Sequence, residues 1–243
     1  MELSLVIPVR NEAENITALI TEIRAVLDGR SDYEVIYVDD GSSDATAQHL
    51  ANARRDFPRL RVLHHRSSCG QSTALLTGVR AARGTWIATL DGDGQNDPAD
   101  IHTLLAVRDA AGNDPLLLLA GHRRQRQDSA FKRLSSRIAN SVRAWLLRDQ
   151  TPDTGCGLKL FARATFMALP HFDHMHRFLP ALVLRAGGRV QSVDVTHRPR
   201  QRGRSNYGVF DRLWIGIVDL FGVMWLCRRQ RLPVVVEDET HSL

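Results

Sequence analysis

The sequence predicts an α/β fold: a mostly parallel central sheet flanked by helices, followed by a C-terminal amphipathic helical extension. Two observations carry this reading. Short apolar runs alternate with segments of helical periodicity through the first hundred residues, the pattern of β-α-β units. Asp- and Gly-bearing loops then follow the ends of several of those runs, and in such sheets ligands bind at the carboxyl ends of the strands. Residues 3–9 read as a buried strand. Residues 11–15 open a helix whose apolar positions Ile16, Leu19, Ile20, Ile23 and Leu27 recur at helical spacing, and Asp28, Gly29 and Arg30 end it. Residues 33–38 form a second strand, 44–55 a second helix and 60–64 a third strand. A helix over 71–83 is closed by Gly84, and 86–90 is a fourth strand. Beyond residue 100 the alternation weakens: a helix over 100–111, an apolar strand at 116–120, an Arg-rich segment over 123–148 and a strand-rich patch at 189–197. An amphipathic to apolar helix over 207–229 precedes an acidic tail. The chain thus divides into a main domain, residues 1–206, and an extension, residues 207–243.

At 243 residues and 43% apolar content the chain has enough material for a sizeable core. Its net charge is +5, with arginine supplying 30 of the 32 basic residues. Guanidinium forks bind phosphate bidentately, so the balance suits anionic partners; a composition bias of the source genome would produce the same imbalance without a function. Cys69, Cys156 and Cys227 are scattered without zinc-like spacing, and a reduced, cytosolic chain is the simplest account. No basic n-region with a long apolar run follows the N-terminus, so a secretory signal is not expected. The apolar stretch 214–226 has 13 residues including Asp219, short of the roughly 20 a bilayer span needs.

Asp91-Gly92-Asp93 sets two carboxylates one residue apart at the end of the fourth strand. Hard divalent cations prefer oxygen ligands and keep positions open for substrate phosphates. A solvated turn is the bland account, since Asp and Gly are turn formers. Asp39 and Asp40 end the second strand, and Gly41-Ser42-Ser43-Asp44 turns into a helix. Asp39 fits a ligand for a nucleoside hydroxyl, whereas Asp44 fits a helix cap.

Four segments then align with a known pattern: "VIPVRNEAENI" at 6–16, "VDDGSSDAT" at 38–46, "CGQSTALLTGVRAARGTWIATLDGDGQNDP" at 69–98 and "DTGCGLKLF" at 153–161. They resemble family 2 glycosyltransferases of the GT-A, Rossmann-like fold, in the branch of dolichol-phosphate mannosyltransferase-like enzymes and their bacterial polyprenyl-phosphate relatives. The resemblance implies that Pro8, Arg10, Glu12 and Asp39 hold the nucleoside. It also implies that Asp91, Asp93 and Gln95 hold Mg²⁺ or Mn²⁺, with Asp91 beside the nucleotide sugar. Arg200, Arg202 and Ser205 lie in a segment that resembles the one closing over the donor diphosphate, with Asn206 in place of its lysine. Arg123 lies in a segment that resembles the start of an acceptor loop, His122 replacing the usual serine, and His176 and Arg177 match residues facing the acceptor phosphate. Ser68 departs from an asparagine common in relatives.

Asp153 is the remaining carboxylate for general-base or acceptor-positioning work. A sugar hydroxyl acceptor needs a base, while a phosphate monoester with second pKa near ~6 is already ionised. The resemblance therefore implies an inverting transfer of sugar from a UDP- or GDP-sugar to a polyprenyl phosphate, at the cytoplasmic membrane face, by a peripherally bound protein. A glycan or small-molecule hydroxyl acceptor is the alternative, and a non-catalytic protein binding anionic lipid or nucleic acid is a third reading. The basic runs lack interleaved aromatics, which argues against single-stranded nucleic acid. The apolar residues between Trp214 and Leu226, with Arg228 and Arg229, suit either an interfacial helix or a core or subunit-contact helix. A separate integral-membrane partner is a further expectation.

Overall fold

A computed structural model describes residues 1–123, 143–199, 209–229 and 231. A seven-stranded sheet runs through it in the order β3-β2-β1-β4-β6-β5-β7. Its strands are β1 (Leu3–Val9), β2 (Tyr33–Asp39), β3 (Leu60–His64), β4 (Trp86–Thr89), β5 (Leu117–Arg123), β6 (Lys159–Ala162) and β7 (Arg189–Val195). The β1/β2, β1/β4, β2/β3 and β5/β7 pairs are parallel. β6 runs antiparallel to both of its neighbours.

Helices α1 (Ala13–Leu27), α2 (Thr46–Asp56) and α4 (Asp100–Ala110) cover one face. They share a core with alternate strand residues, Leu3, Leu5, Ile7 and Val9 of β1 among them. The other face receives α3 (Gln71–Ala81), α5 (Arg163–Ala168), α6 (Leu179–Arg185) and the inner side of α7 (Val209–Arg229), packed on Val6, Ile36, Ile87 and Phe161. Side chains alternate across a strand, so each strand feeds both cores.

The first four strands fall where apolar runs predict them. The helix expected from residue 44 starts at Thr46, because Asp44 and Ala45 remain in the turn. β6, α5 and α6 were not anticipated. β6 is four residues long and opens on a lysine, so it lacks the apolar run that marks a strand; α5 and α6 span six and seven residues, too short to show helical periodicity. α7 is not a free extension over its described side chains. Val223 is buried, Leu220, Met224 and Cys227 pack against the second core, and Arg185 Nε donates to the Leu226 carbonyl at 3.0 Å.

Candidate functional site

The loops after β1 and β2 are sewn together at the carboxyl edge of the sheet. Asn11 takes a left-handed conformation, φ 56°; its amide donates to Ser42 Oγ at 2.9 Å and its Oδ1 accepts the Ser43 amide at 2.8 Å. Asp44 accepts the Thr46 amide at 2.9 Å and the Ala13 amide at 3.3 Å, bracing the turn before α2, whose N-cap residue is Ala45 rather than the Asp44 expected from sequence. Asp39 is buried, accepting the Ser42 amide at 3.0 Å, with its other oxygen 3.1 Å from His64 Nδ1. Pro8 borders the cavity described below, Arg10 is exposed, and Glu12 accepts Asn15 Nδ2 at 2.7 Å.

Asp40 organises the next loop. Its carboxylate meets the Cys69 amide (2.8 Å), the Gly70 amide (2.9 Å), Ser68 Oγ (2.7 Å) and His65 Nδ1 (2.7 Å). His65 Nε2 lies 3.0 Å from Thr77 Oγ1. Burial pushes this carboxyl up, yet the hydrogen bonds more than offset it and the group sits below the usual carboxylate range. Asp40, His65 and Cys69 bring ligand-type atoms within 4.8 Å of one another, but all four lone-pair positions of the carboxylate are already in use. The network is a lock on the start of α3. It gives His65, unassigned from sequence, a structural role, and it accommodates the departure at Ser68 through a hydroxyl bond to Asp40.

That lock places Gln71 and Ser72. Gln71 Nε2 donates to Asp91 Oδ1 at 3.0 Å. Burial pushes the Asp91 carboxyl up to about 6, the Asp93 charge adds to this, and Lys159 and Arg123 oppose it. Asp93 accepts the Gln95 amide at 3.1 Å. Gln95 Nε2 donates to the Arg198 carbonyl at 3.4 Å, which leaves the amide oxygen as its acceptor end. Asp91, Asp93 and Gln95 thus offer oxygen ligands from one turn, with the half-buried Asp91 carboxylate feeling the charge of Asp93. Such a set fits a hard divalent cation, whose charge relieves both. Arg198, unassigned from sequence, bonds Glu22 at 2.7 Å and Asp97 at 2.5 Å, pinning the end of the β7 segment beside this turn. Arg200, Arg202 and Ser205 lie outside the described residues.

Across the sheet edge an open cavity of about 460 Å³ is bordered by Pro8, Gln71, Asp91, Lys159, His176 and Arg177. The loop 154–157 closes one side. Gly157 lets the loop backbone lie against Asp91, because a Cβ at that position would sit 2.2 Å from Asp91 Oδ2 and the carboxylate would have to shift. His176, on the 3-10 turn Met175–Arg177, has its Nδ1 2.7 Å from Ser72 Oγ, and its amide donates to the same hydroxyl at 3.2 Å. Burial holds this imidazole well below its ordinary pKa, helped by the charges of Arg177 and Lys159, so it is neutral at pH 7. Asp153 is buried, and Arg123 clamps it: Nε to Oδ2 at 2.7 Å and Nη2 to Oδ1 at 2.9 Å. Both carboxylate oxygens face a guanidinium rather than a site for a reacting proton. Lys159 went unnoticed in the sequence, although a lysine inside the otherwise apolar run after a Gly-rich turn was a usable signal.

The sheet, with a carboxylate-bearing turn and an open cavity at its strand ends, defines an α/β protein whose ligand site lies at the carboxyl edge of the strands. The model of Glycosyl transferase family 2 matches residues 4–170, and the chain belongs to that family. It is 36% identical over 241 residues to the dodecaprenyl-phosphate galacturonate synthase of Rhizobium johnstonii, covering 96% of this chain and 69% of that protein. It is 33% identical over 208 residues to the undecaprenyl-phosphate 4-deoxy-4-formamido-L-arabinose transferase of Edwardsiella ictaluri, covering 85% of this chain but 63% of the relative's length. Among solved structures, glucosyl-3-phosphoglycerate synthase from Mycobacterium tuberculosis, in complex with Mn²⁺ and UDP-glucose, matches with TM-score 0.68 at 18% identity over 93% of this chain and 78% of that one. The mannosyltransferase PcManGT from Pyrobaculum calidifontis, in complex with GDP-Man and Mn²⁺, matches with TM-score 0.67 at 21% identity over 96% and 66%. The shared architecture is the GT-A fold.

Proposed function

We propose that this glycosyltransferase moves a sugar, with inversion, from a nucleotide-sugar donor to the phosphate of a polyprenyl phosphate. The observation that carries this reading is the cavity at the strand ends, bordered both by Asp91 and by the basic residues Lys159, His176 and Arg177. It has room for two anionic groups: a diphosphate linked to the carboxylates through a cation, and a phosphate facing the basic wall. The names of the two curated relatives support the acceptor class.

Pro8, Arg10, Glu12 and Asp39 hold the nucleoside. Asp91, Asp93 and Gln95 would hold Mg²⁺ or Mn²⁺, which when bound supplies Lewis-acid stabilisation of the departing diphosphate. The attacking phosphate oxygen forms its bond to the anomeric carbon as the bond from that carbon to the diphosphate oxygen breaks. No proton need move, because the monoester is already ionised near neutral pH. Asp153 then serves by aiming Arg123 at the acceptor, and His176 and Arg177 orient the phosphate. Arg200, Arg202 and Ser205 would supply the donor-diphosphate contacts that the resemblance implies.

The protein acts at the cytoplasmic face of the membrane. No helix among the described residues is long and apolar enough to cross one. The outer face of α7 is apolar: Val218, Phe221 and Trp225 are 54%, 56% and 58% exposed, and Arg228 and Arg229 follow. Such a face suits a headgroup boundary, where each basic residue adds on the order of 1 kcal/mol on anionic lipid. It equally suits a separate integral-membrane partner, which vesicles without protein would fail to replace.

A radiolabel screen of UDP- and GDP-sugars against polyprenyl phosphate, with divalent metal and with chelator, tests the activity. A lipid-linked product should form only with metal, and Asp91→Ala or Asp93→Ala should abolish it while the fold survives. Transfer undiminished by chelator, or full activity in either variant, would sink the metal assignment.

A further inference from the structure

Lys159 is one of two lysines, with Lys132, in a chain that otherwise uses arginine for every basic residue. It opens β6, directly across from Thr89 of β4 and Ala120 of β5, and is only 4% exposed. Burying an ammonium costs roughly several kcal/mol unless partners compensate. Among the described residues its Nζ donates to the Thr154 carbonyl at 3.3 Å and to the Cys156 carbonyl. Those two bonds draw the loop 154–157 around the charge and use two of the three ammonium protons. The nearby carboxylates are committed elsewhere: Asp153 to Arg123 through both oxygens, and Asp91 to Gln71 and the oxygen set of the metal turn. Lys159 nevertheless borders the cavity together with His176 and Arg177. A compact point charge fits a floor made of backbone carbonyls, where a planar guanidinium fork would need more room.

We propose that Lys159 contacts substrate directly, giving its third proton to an oxygen of the acceptor's monophosphate. This rests on the function proposed above. A phosphate oxygen could come instead from the donor diphosphate, and the sheet order separates the two. β6 lies three strands from β2, so Lys159 is roughly 14 Å across the sheet from the Asp39 turn at a spacing of about 4.8 Å. Asp91 follows β4, one strand nearer the nucleoside. A diphosphate that starts over β2 and β1 ends at Asp91, and the group beyond it, over β6, is the attacking one. Lys159 would hold that oxygen as a point charge and favour its approach to the anomeric carbon.

Lys159→Met keeps an unbranched, flexible side chain one atom shorter and removes the charge. Its kcat/KM for polyprenyl phosphate should fall at least about tenfold, with the KM for nucleotide sugar changed less than about twofold. Unchanged acceptor kinetics would overturn the proposal. The wild-type protein gives an independent reading, because ¹³Cε-lysine labelling yields two signals and Lys132→Arg assigns them. The Lys159 signal should shift when a short-chain polyprenyl phosphate is added at a concentration that saturates turnover, and stay in place with nucleoside diphosphate and Mg²⁺. A shift with the nucleoside diphosphate alone would move the contact to the donor and overturn the acceptor assignment; no shift with either ligand would overturn the contact itself. Wild-type protein that transfers no sugar to polyprenyl phosphate defeats the proposed function, whereas normal transfer with an unmoved Lys159 signal defeats only this inference.

Discussion

Asp153 illustrates how a side chain's partners select among the duties its type allows. A carboxylate after a Gly-rich motif serves equally as base or as anchor, and its bidentate bond to Arg123 favours the anchor. Asp153→Ala should cost about 3–5 kcal/mol, the usual penalty for stranding one member of a buried pair, and should weaken acceptor use. The shape of the pH–rate profile between pH 6 and 8 should not change; loss of an acidic limb, where protonation of a base slows the reaction, would restore the general base. His176 makes a pH prediction with a definite sign. Its pKa is well below 6.5 in the fold because of burial and the neighbouring Arg177 and Lys159 charges, so the unfolded chain binds a proton that the folded chain refuses. Its contribution to stability is therefore intact above pH 6.5 and is lost as pH falls from there toward the folded pKa. Wild-type Tm should drop more between pH 7 and pH 5 than that of His176→Gln, and parallel drops would contradict this.

At the scale of elements, the loop before β6 and helix α7 each have two faces with separate duties. Gly157 lets the loop backbone lie against Asp91. Gly157→Ala should displace that carboxylate and weaken Mn²⁺ binding at least about tenfold in calorimetry, with the far-ultraviolet spectrum preserved. Binding as tight as wild type would show that the carboxylate can yield without loss. On α7, Val223 belongs to the second core, while Val218, Phe221 and Trp225 point outward. His174 Nδ1, at 3.1 Å from Asp219, and Arg185 add polar ties. Deleting residues 208–243 would expose the core under α6, so the surface alone is the better target. Replacing Val218, Phe221 and Trp225 by Ser should release the protein from anionic vesicles with Tm little changed. Val223→Ser should lower Tm, and vesicle binding that survives the outer substitutions would remove the interfacial role.

Across the whole molecule, the chain's own pattern was sufficient for the first half of the fold. Buried parallel strands must be apolar and their flanking helices amphipathic, so β1 to β4 and the helices around them leave a local, periodic trace. The ends of those strands also announced Asp39, Asp91 and Asp93, since carboxylates that close an apolar run are conspicuous within a few residues. In the second half the trace is uneven: α4, β5, β7 and α7 fall where apolar or amphipathic runs predict them, whereas β6, α5 and α6 have none. β6 pairs with β4 and β5 from a distant part of the chain, and its first residue is a charge that is tolerable only because the loop before it supplies carbonyls. The link from Ser72 to His176 spans 104 residues, and the Asp153–Arg123 clamp spans 30; neither has a periodicity to betray it. Sequence alone determined the sheet-forming half and the two-carboxylate turn, because those depend on residue type and short spacing, and its resemblance to a known family implied the chemistry of a sugar transferase. Tertiary structure decided which carboxylate is an anchor, which histidine is buried neutral and where a lone lysine meets the cavity, because each depends on burial and on partners that only folding brings within bonding distance.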